Sequence, residues 1–144
     1  EIKECDWSSD VCSSDLIARQ DIPVILGIPG ATARQAGGFG ELSGGGDIAA
    51  EWFSLGAGTD IAPLLQGLDR DSCAAEHWGY VISGALTVTY VDAPEEQVSG
   101  GDLFYWPAYH SIRVTEDAEV ILFSPHAAHL AVVDHMAEKL GVQR

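Results

Sequence analysis

The middle of this sequence is a series of short runs rich in β-branched and aromatic residues, each closed by a turn signal. The runs are DIAAEWFSL, TDIAPLL, HWGYVISG, ALTVTYVD, DLFYW, SIRVTE and EVILFS, and glycine, aspartate or proline lies between them. Within one run, Leu86, Val88 and Tyr90 alternate with threonines, as expected of a half-buried strand. Many short strands at near-regular spacing predict an all-β sandwich or barrel.

The residues before and after this region have different sequence patterns. Residues 17–46 contain Pro23, Pro29 and the glycine-rich stretch GGFGELSGGG, which predict a flexible arm and loop with at most an edge strand at residues 22–26. After Pro125 the sequence HAAHLAVVDHMAEKLG has helical spacing and ends at a glycine. We therefore expect one domain over residues 47–144, a barrel with a C-terminal helix on its outside.

Composition excludes several kinds of partner. The chain has 144 residues, enough for one domain, and a formal net charge of -15 with only 7 lysines and arginines. Nucleic acids and anionic membranes require a basic surface, and no apolar run approaches the length of a membrane span. We therefore expect no nucleic acid and no membrane as a partner. The acidic surface itself identifies no partner, and the expectation of a small-molecule ligand or substrate rests on the candidate site residues below.

The beginning of the sequence has an unusual character of its own. Residues 6–16, DWSSDVCSSDL, resemble one translated frame of a short-read sequencing adapter, and all eleven residues agree. We expect residues 1–16 to be a non-native artefact, with a genuine polar N-terminus as the alternative. Without Cys5 and Cys12, Cys73 is alone and indicates no oxidising compartment. A cytoplasmic location is expected, although a signal sequence stays open because the native start is in doubt.

Two segments carry the residues that point to chemistry, and the first is DSCAAEHWGYVISG at 71–84. It resembles the first motif of the cupin family, which runs His-x-His, three or four residues, Glu, six residues, Gly. Six residues separate His77 from Gly84, so His77 takes the glutamate position. Cys73 and Asp71 then fall where the two histidines of the motif would be.

The second segment, GDLFYWPAYH at 101–110, resembles the second cupin motif. Gly101 and Pro107 have the spacing of that motif, Tyr109 replaces its second glycine, and His110 follows at once. The resemblance covers roughly residues 47–125 and is closest to small bacterial cupins with a cysteine in the first motif.

The resemblance implies a cupin-type double-stranded β-barrel (jelly roll) that binds iron, manganese, zinc or nickel and commonly forms a homodimer through edge strands. A thiolate with two imidazoles is a sound ligand set for a soft or borderline divalent ion, which favours zinc or iron. The implied metal ligands are Cys73, His77 and His110 with Asp71 as a candidate fourth, and the implied pocket-lining residues are Tyr109 and Glu76.

Each of these residues also has a structural alternative. A lone cysteine is most often a buried small hydrophobe, and Asp71 suits the turn in LDRDS. His126, His129 and His135 form a second histidine-rich segment, which we interpret as a solvated helix start. His126 is the most interesting of the three because it directly follows a strand.

Three functional hypotheses remain open at this level. The first is a metal-dependent enzyme acting on a small polar or oxyanionic metabolite, such as a dioxygenase, isomerase or lyase. The second is a non-catalytic module that senses a metal or small molecule. The third is a cupin that has lost its metal and serves as a scaffold. Fold alone does not choose between them.

The adapter-like start generates a first prediction. Deleting residues 1–16 should change the melting temperature little, because an artefact contributes no packing to the domain. Thermal unfolding of the full and shortened chains, followed by circular dichroism, measures the difference. A large loss of stability would show that this stretch belongs to the fold.

Overall fold

The structure, a computed structural model, describes residues 14–142 and is dominated by one antiparallel sheet. Of residues 1–16, which we expect to be a non-native artefact, residues 1–13 therefore lie outside the described range. The seven strands have the order β1-β2-β3-β7-β4-β5, and β6 pairs with β4. In chain order the elements are β1 (Val24–Ile28), β2 (Ala31–Ala36), β3 (Ile48–Leu55), α1 (Ala62–Leu65), β4 (His77–Tyr90), β5 (Glu96–Ser99), β6 (Leu103–Trp106), β7 (His110–Pro125) and α2 (His126–Leu140).

The two longest strands, β4 and β7, are neighbours in the sheet and pair along most of their lengths. The pairing shifts register around Gly84, which has φ +89°. Before this bulge His77 and Val81 are buried, and after it Leu86 and Val88 are buried, so the inward residues change from odd to even numbers. Because of this bulge, β4 buries odd-numbered residues such as His77 in its first half and the even-numbered core residues Leu86 and Val88 in its second half.

The core lies between the inward faces of β3, β4, β5, β6 and β7. Leu86 and Val88 are fully buried, as their alternation predicts. The all-β barrel expected from the sequence is confirmed. The buried side chains of this cluster are Leu55, Val81, Leu86, Val88, Val98, Trp106, Ile112, Val114, Ala118, Val120 and Leu122.

The region expected to be a flexible arm contains ordered strands. β1 and β2 form a hairpin around Pro29 and Gly30, and β2 pairs with β3 over six positions. The edge strand predicted at residues 22–26 corresponds to β1, which lies at the edge of the sheet and begins two residues later. The second strand, β2, was not predicted, because glycine and proline content was weighed above the turn signal that Pro-Gly supplies between two strands.

A second correction concerns TDIAPLL, which we interpreted as a strand. It forms the short helix α1, with Pro63 in the first turn, where a missing N–H does no harm. Asp60 accepts a hydrogen bond from the Ala62 N–H at 3.0 Å and so fixes the start of this turn. Leu65 of this run is fully buried, and Ile61 and Leu64 line the interior cavity.

The C-terminal helix α2 has the predicted extent, and it packs one face, with His129, Val132, Val133 and Ala137 buried, against the rest of the domain. It ends at Gly141, whose φ of +69° is the left-handed conformation of a helix C-cap. His129, Val132 and Val133 line an interior cavity together with residues of β4 and β7, so the helix covers that cavity. Among the described residues, neither helix combines the length and the apolar character needed to cross a membrane.

The outer face of β4 and β6 exposes large apolar side chains. Trp78 pairs with Tyr105 across the two strands, and about half of each residue is exposed. Leu103 beside them is 83% exposed. The homodimer expected from the resemblance stays a prediction.

The bulge generates a prediction that separates steric clash from backbone strain. A Cβ at Gly84 would lie 2.1 Å from the Asp117 carbonyl oxygen, whereas a Cβ at Gly101 would meet nothing, although both have positive φ. Gly101→Ala should cost about 1–2 kcal/mol from strain alone, and Gly84→Ala at least about 2 kcal/mol more. Urea unfolding of both variants measures this, and equal losses would contradict the role of the bulge.

Candidate metal site

His77 is the first residue of β4, and the chain around it fixes the direction of its ring. The residue is 3% exposed, and its Nδ1 lies 2.6 Å from the Ser124 hydroxyl of β7. Because Ser124 donates its hydrogen to Glu51 at 2.7 Å, His77 Nδ1–H is the donor to Ser124. The lone pair of the His77 ring is therefore at Nε2, which lies 3.7 Å from Cys73 Sγ.

Cys73 and His110 are joined by the backbone as well as by their side chains. The Cys73 N–H donates to the His110 carbonyl at 2.9 Å, and the His110 N–H donates back to the Cys73 carbonyl at 3.2 Å. Cys73 therefore lies opposite the first residue of β7, in the segment before β4. Because β4 begins only at His77, Cys73 reaches the cluster from outside that strand.

The three predicted ligands converge in the interior. One donor atom from each of Cys73, His77 and His110 lies within 4.8 Å of the others, and all three residues are buried. Two metal–ligand bonds of about 2.0–2.3 Å separate donors by at most about 4.6 Å, so small rotamer changes would bring these atoms to one centre. The His77 and His110 ring centroids are 5.0 Å apart.

A second group shares His77 and adds Glu51 and His129, two residues that sequence reasoning did not assign to the site. Donor atoms of Glu51, His77 and His129 also lie within 4.8 Å of one another. Glu51 faces inward from β3 and is 1% exposed. It accepts hydrogen bonds from Gln35 Nε2 at 2.6 Å, from Ser124 at 2.7 Å and from His129 Nδ1. Both carboxylate oxygens of Glu51 are thus already occupied by protein donors.

All three buried histidines have the same arrangement of ring nitrogens. Nδ1 of His77 donates to Ser124, Nδ1 of His110 donates to the Pro107 carbonyl at 2.7 Å, and Nδ1 of His129 donates to Glu51. His77 and His110, which burial keeps neutral, therefore carry their lone pairs at Nε2. A metal-ligating histidine almost always donates its other ring N–H in this way, so this pattern fits a metal centre.

Burial sets the protonation states of the cluster. It lowers the pKa of His77 well below its ordinary value, and neighbouring His129 and His110 lower it further. Burial also lowers the pKa of His110 to about 4, although the hydrogen bond to Pro107 opposes this shift. The pKa of the Cys73 thiol is raised to about 12, chiefly by burial. At neutral pH, His77 and His110 are neutral and Cys73 is a thiol.

The cluster borders a cavity of about 90 Å³ between the sheet and α2. Most of its lining is aliphatic and comes from β1, β2, β3 and α2. Cys73, His77, His110 and His129 all line it, as does Trp106. A small molecule in this cavity would contact the histidine rings directly.

The remaining predicted site residues lie elsewhere. Asp71 is exposed, and its carboxylate accepts a hydrogen bond from the Gly67 N–H at 2.9 Å. Glu76 accepts from the exposed Tyr105 hydroxyl. Tyr109 donates to Asp69 at 3.0 Å. None of Asp71, Glu76 and Tyr109 lines the cavity, because each is held by a surface partner.

The three histidines of α2 have three different environments. His126 pairs with Asp47 at 3.0 Å, and His135 donates to the Gln66 carbonyl at 2.8 Å. His129 is 5% exposed, and its ring centroid is 4.4 Å from that of His77. The interpretation of His129 as part of a solvated helix start was wrong. Its helical spacing with Val132, Val133 and Met136 was the available signal.

The chain is similar to one protein family and to several solved structures. Residues 73–126 match the family model described as the cupin domain. The chain is similar to oxalate decarboxylase from Bacillus subtilis at pH 4.6, with 26% identity and a TM-score of 0.57, over 78% of this chain and 29% of that one. It is also similar to a deletion mutant of that enzyme, with 26% identity and a TM-score of 0.56, over 78% of this chain and 30% of the other.

The chain thus spans less than a third of the length of these oxalate decarboxylase structures. No curated protein matches the sequence significantly. The matched residues 73–126 include residues 73–84 of the first segment that resembles a cupin motif and all of the second, and the strands among them belong to the seven-stranded antiparallel sheet described above. This chain therefore carries a small cupin domain with the all-β cupin fold.

Proposed function

We propose that this protein binds one divalent metal ion through Cys73, His77 and His110, and that it acts on a small molecule at the open side of that ion. The observation that carries the proposal is the convergence of three buried donor atoms within 4.8 Å of one another. The fixed Nδ1–H bonds of the rings support it, since they leave Nε2 of each histidine free for a ligand role.

The residues present suit zinc or iron. One thiolate and two imidazoles form a ligand set of borderline softness and leave room for further ligands. When bound, such an ion would polarise an oxygen of the small molecule. No lysine or arginine among residues 14–142 lines this cavity, so neither residue type would repel a cation there.

The chain's own groups would divide the remaining tasks. Glu51 and Ser124 hold the His77 ring in one tautomer and one orientation. His129, held by Glu51, contributes a further ring nitrogen to the cavity wall. The aliphatic lining excludes water from the same space, which strengthens every electrostatic interaction within it. These features support an enzyme.

A non-catalytic sensing module or scaffold is the second candidate. Two observations support it. No aspartate or glutamate of the described residues lines the cavity. Glu51, beside His77, already accepts protein hydrogen bonds at both carboxylate oxygens, so it is not free to move a proton. Turnover of a small-molecule substrate by the metal-loaded protein would separate the enzyme from this alternative.

Metal content tests the proposed site. The protein purified without residues 1–16 should bind about one zinc or iron ion per chain, and His77→Ala or His110→Ala should remove most of it. His135→Ala is the matched control, because His135 bonds a backbone carbonyl outside the cavity. Elemental analysis of all four proteins gives the result. Full metal content in His77→Ala would mean that the site is misassigned.

The pH dependence of binding follows from the protonation states. His77 and His110 are already neutral at pH 7, whereas the thiol of Cys73, with a pKa of about 12, must lose its proton to ligate. Binding should therefore release about one proton, and affinity should rise about tenfold per pH unit between roughly pH 6 and 8. Cys73→Ala should remove this slope. Calorimetry in buffers of different ionisation enthalpy measures the proton count.

Glu51 should be needed for both stability and metal affinity. Glu51→Ala leaves the buried donors of Gln35, Ser124 and His129 without an acceptor and should cost about 3–5 kcal/mol. Glu51→Gln keeps one acceptor oxygen and should cost less, and Glu116→Ala on the exposed surface should cost under about 0.5 kcal/mol.

Urea unfolding measures these differences in the metal-free proteins. Metal affinity should also fall about 10–100-fold in Glu51→Ala, because the rings lose the group that orients them. If Glu51→Ala were as stable as the parent chain and bound metal equally well, the carboxylate would have no organising role.

A further inference from the structure

The cavity beside the histidine cluster is apolar over most of its wall. Beyond the cluster it is bounded by aliphatic and aromatic side chains from both sheet and helix, among them Leu26, Ile28, Phe53, Leu122, Val132 and Met136. The polar residues of the wall are the site residues and two threonines. A ligand in this cavity therefore gains most by placing hydrocarbon against the wall.

No positive side chain is available in the cavity for a second acidic group of a ligand. The described range contains five lysines and arginines, and none of them lines the cavity: Arg19, Arg34, Arg70, Arg113 and Lys139. Arg34 donates to the Ile22 carbonyl at 2.8 Å, and Arg70 pairs with Asp92 at the surface. The formal net charge of -15 also disfavours a polyanion.

One polar group of the wall has no partner among residues 14–142. Trp106 is 2% exposed, and its Nε1–H makes no hydrogen bond. The Trp106 ring lies beside both site histidines, with centroid distances of 6.1 Å to His77 and 5.8 Å to His110. A buried N–H without an acceptor is unfavourable, so a ligand oxygen at this point would satisfy it.

We infer that the cavity takes a small ligand with an aliphatic body and a single oxygen-bearing head group, and that it rejects dicarboxylates such as oxalate. The inference rests on the proposed function for the metal that faces the head group, while the cavity wall carries the preference for an aliphatic body. The head lies against the histidine cluster and Trp106, and the body lies against the wall formed by β1, β2, β3 and α2.

The size of the cavity limits the ligand. Liquid water takes about 30 Å³ per molecule, so about 90 Å³ holds the volume of roughly three waters. A cavity of about 150 Å³ accommodates benzene, so this one suits a shorter body of three or four carbons. Isobutyrate has such a body, the three carbons of its isopropyl group, and we expect these carbons to lie in the cavity while the carboxylate lies at the histidine cluster.

The first experiment compares two anions on the zinc-loaded protein. Isobutyrate and oxalate have the same number of non-hydrogen atoms and differ in the group that would face the apolar wall. Isobutyrate should bind at least about tenfold more tightly by calorimetry. Zinc content is measured after each titration, so that removal of zinc by oxalate is not counted as binding. Equal or tighter binding of oxalate within the protein would overturn the inference.

The second experiment uses the metal-free protein and the neutral probe isobutanol, with a pair of variants on one strand. Ala33 lines the cavity, whereas Ala36 lies on the same strand outside the lining. Isobutanol should shift the methyl resonances of Leu122 and Val132 saturably in the parent chain and in Ala36→Leu. Ala33→Leu should abolish these shifts because the added carbons fill the space.

The two experiments distinguish the ways of failing. A protein that binds no metal but shows the isobutanol shifts refutes the proposed function and leaves the preference for an aliphatic body standing. A protein that binds metal but shows no isobutanol shifts, or the same shifts in Ala33→Leu, refutes the preference alone. Trp106→Phe should weaken isobutyrate binding about fivefold without loss of zinc, and unchanged binding would remove Trp106 from the head-group contact.

Discussion

The buried carboxylate of Glu51 joins the parts of this protein that form the site. It lies on β3 and accepts hydrogen bonds from β2, β7 and α2, and through Ser124 it also fixes His77 on β4. Removing a carboxylate from water costs several kcal/mol, and three hydrogen bonds to a charged acceptor return about 1.5–3 kcal/mol each. These contributions roughly offset each other. Compared with a site repacked by apolar side chains, Glu51 and its three donors therefore add little net stability. Removing Glu51 alone is costly, because it leaves the three buried donors without an acceptor, and this cost favours the one arrangement of the elements in which all of them are paired.

Local patterns in the sequence predicted the fold and the three candidate ligands Cys73, His77 and His110, because both predictions depend on short-range spacing. Alternation predicts the strands, and the two motif-like segments place Cys73, His77 and His110 close to the turns that bring them together. The role of Glu51 was not predictable in this way, because its partners are 16 to 78 residues away. His129 was missed for the same reason. A helical histidine looks solvated until the surface that its helix covers is known.

The protonation of the cluster is consistent with a site built to accept a cation. Two neutral rings with fixed Nδ1–H donors need no rearrangement to offer Nε2, so the main cost of ligation is the proton of Cys73. Burial that makes an isolated thiolate unfavourable also makes a thiolate paired with a divalent ion favourable, because the same low dielectric strengthens their attraction. At the proposed site, burial thus favours the thiol when no metal is bound and would favour the thiolate when a divalent ion lies beside it.

The division of the chain into matched and unmatched residues shows why its ligand preference need not follow that of its relatives. Residues 73–126 hold Cys73, His77 and His110, the part that the family model matches. Glu51 and His129 lie outside this range, as do the β1–β2 hairpin and all but the first residue of α2, which form much of the cavity wall. A shared frame can therefore retain a metal-binding geometry while the surrounding elements change the space beside it. In this chain the side chains that those elements place on the cavity wall are mostly aliphatic, and none of the lysines and arginines of residues 14–142 is among them. The shared frame by itself therefore does not fix the ligand, which depends on the residues of this wall.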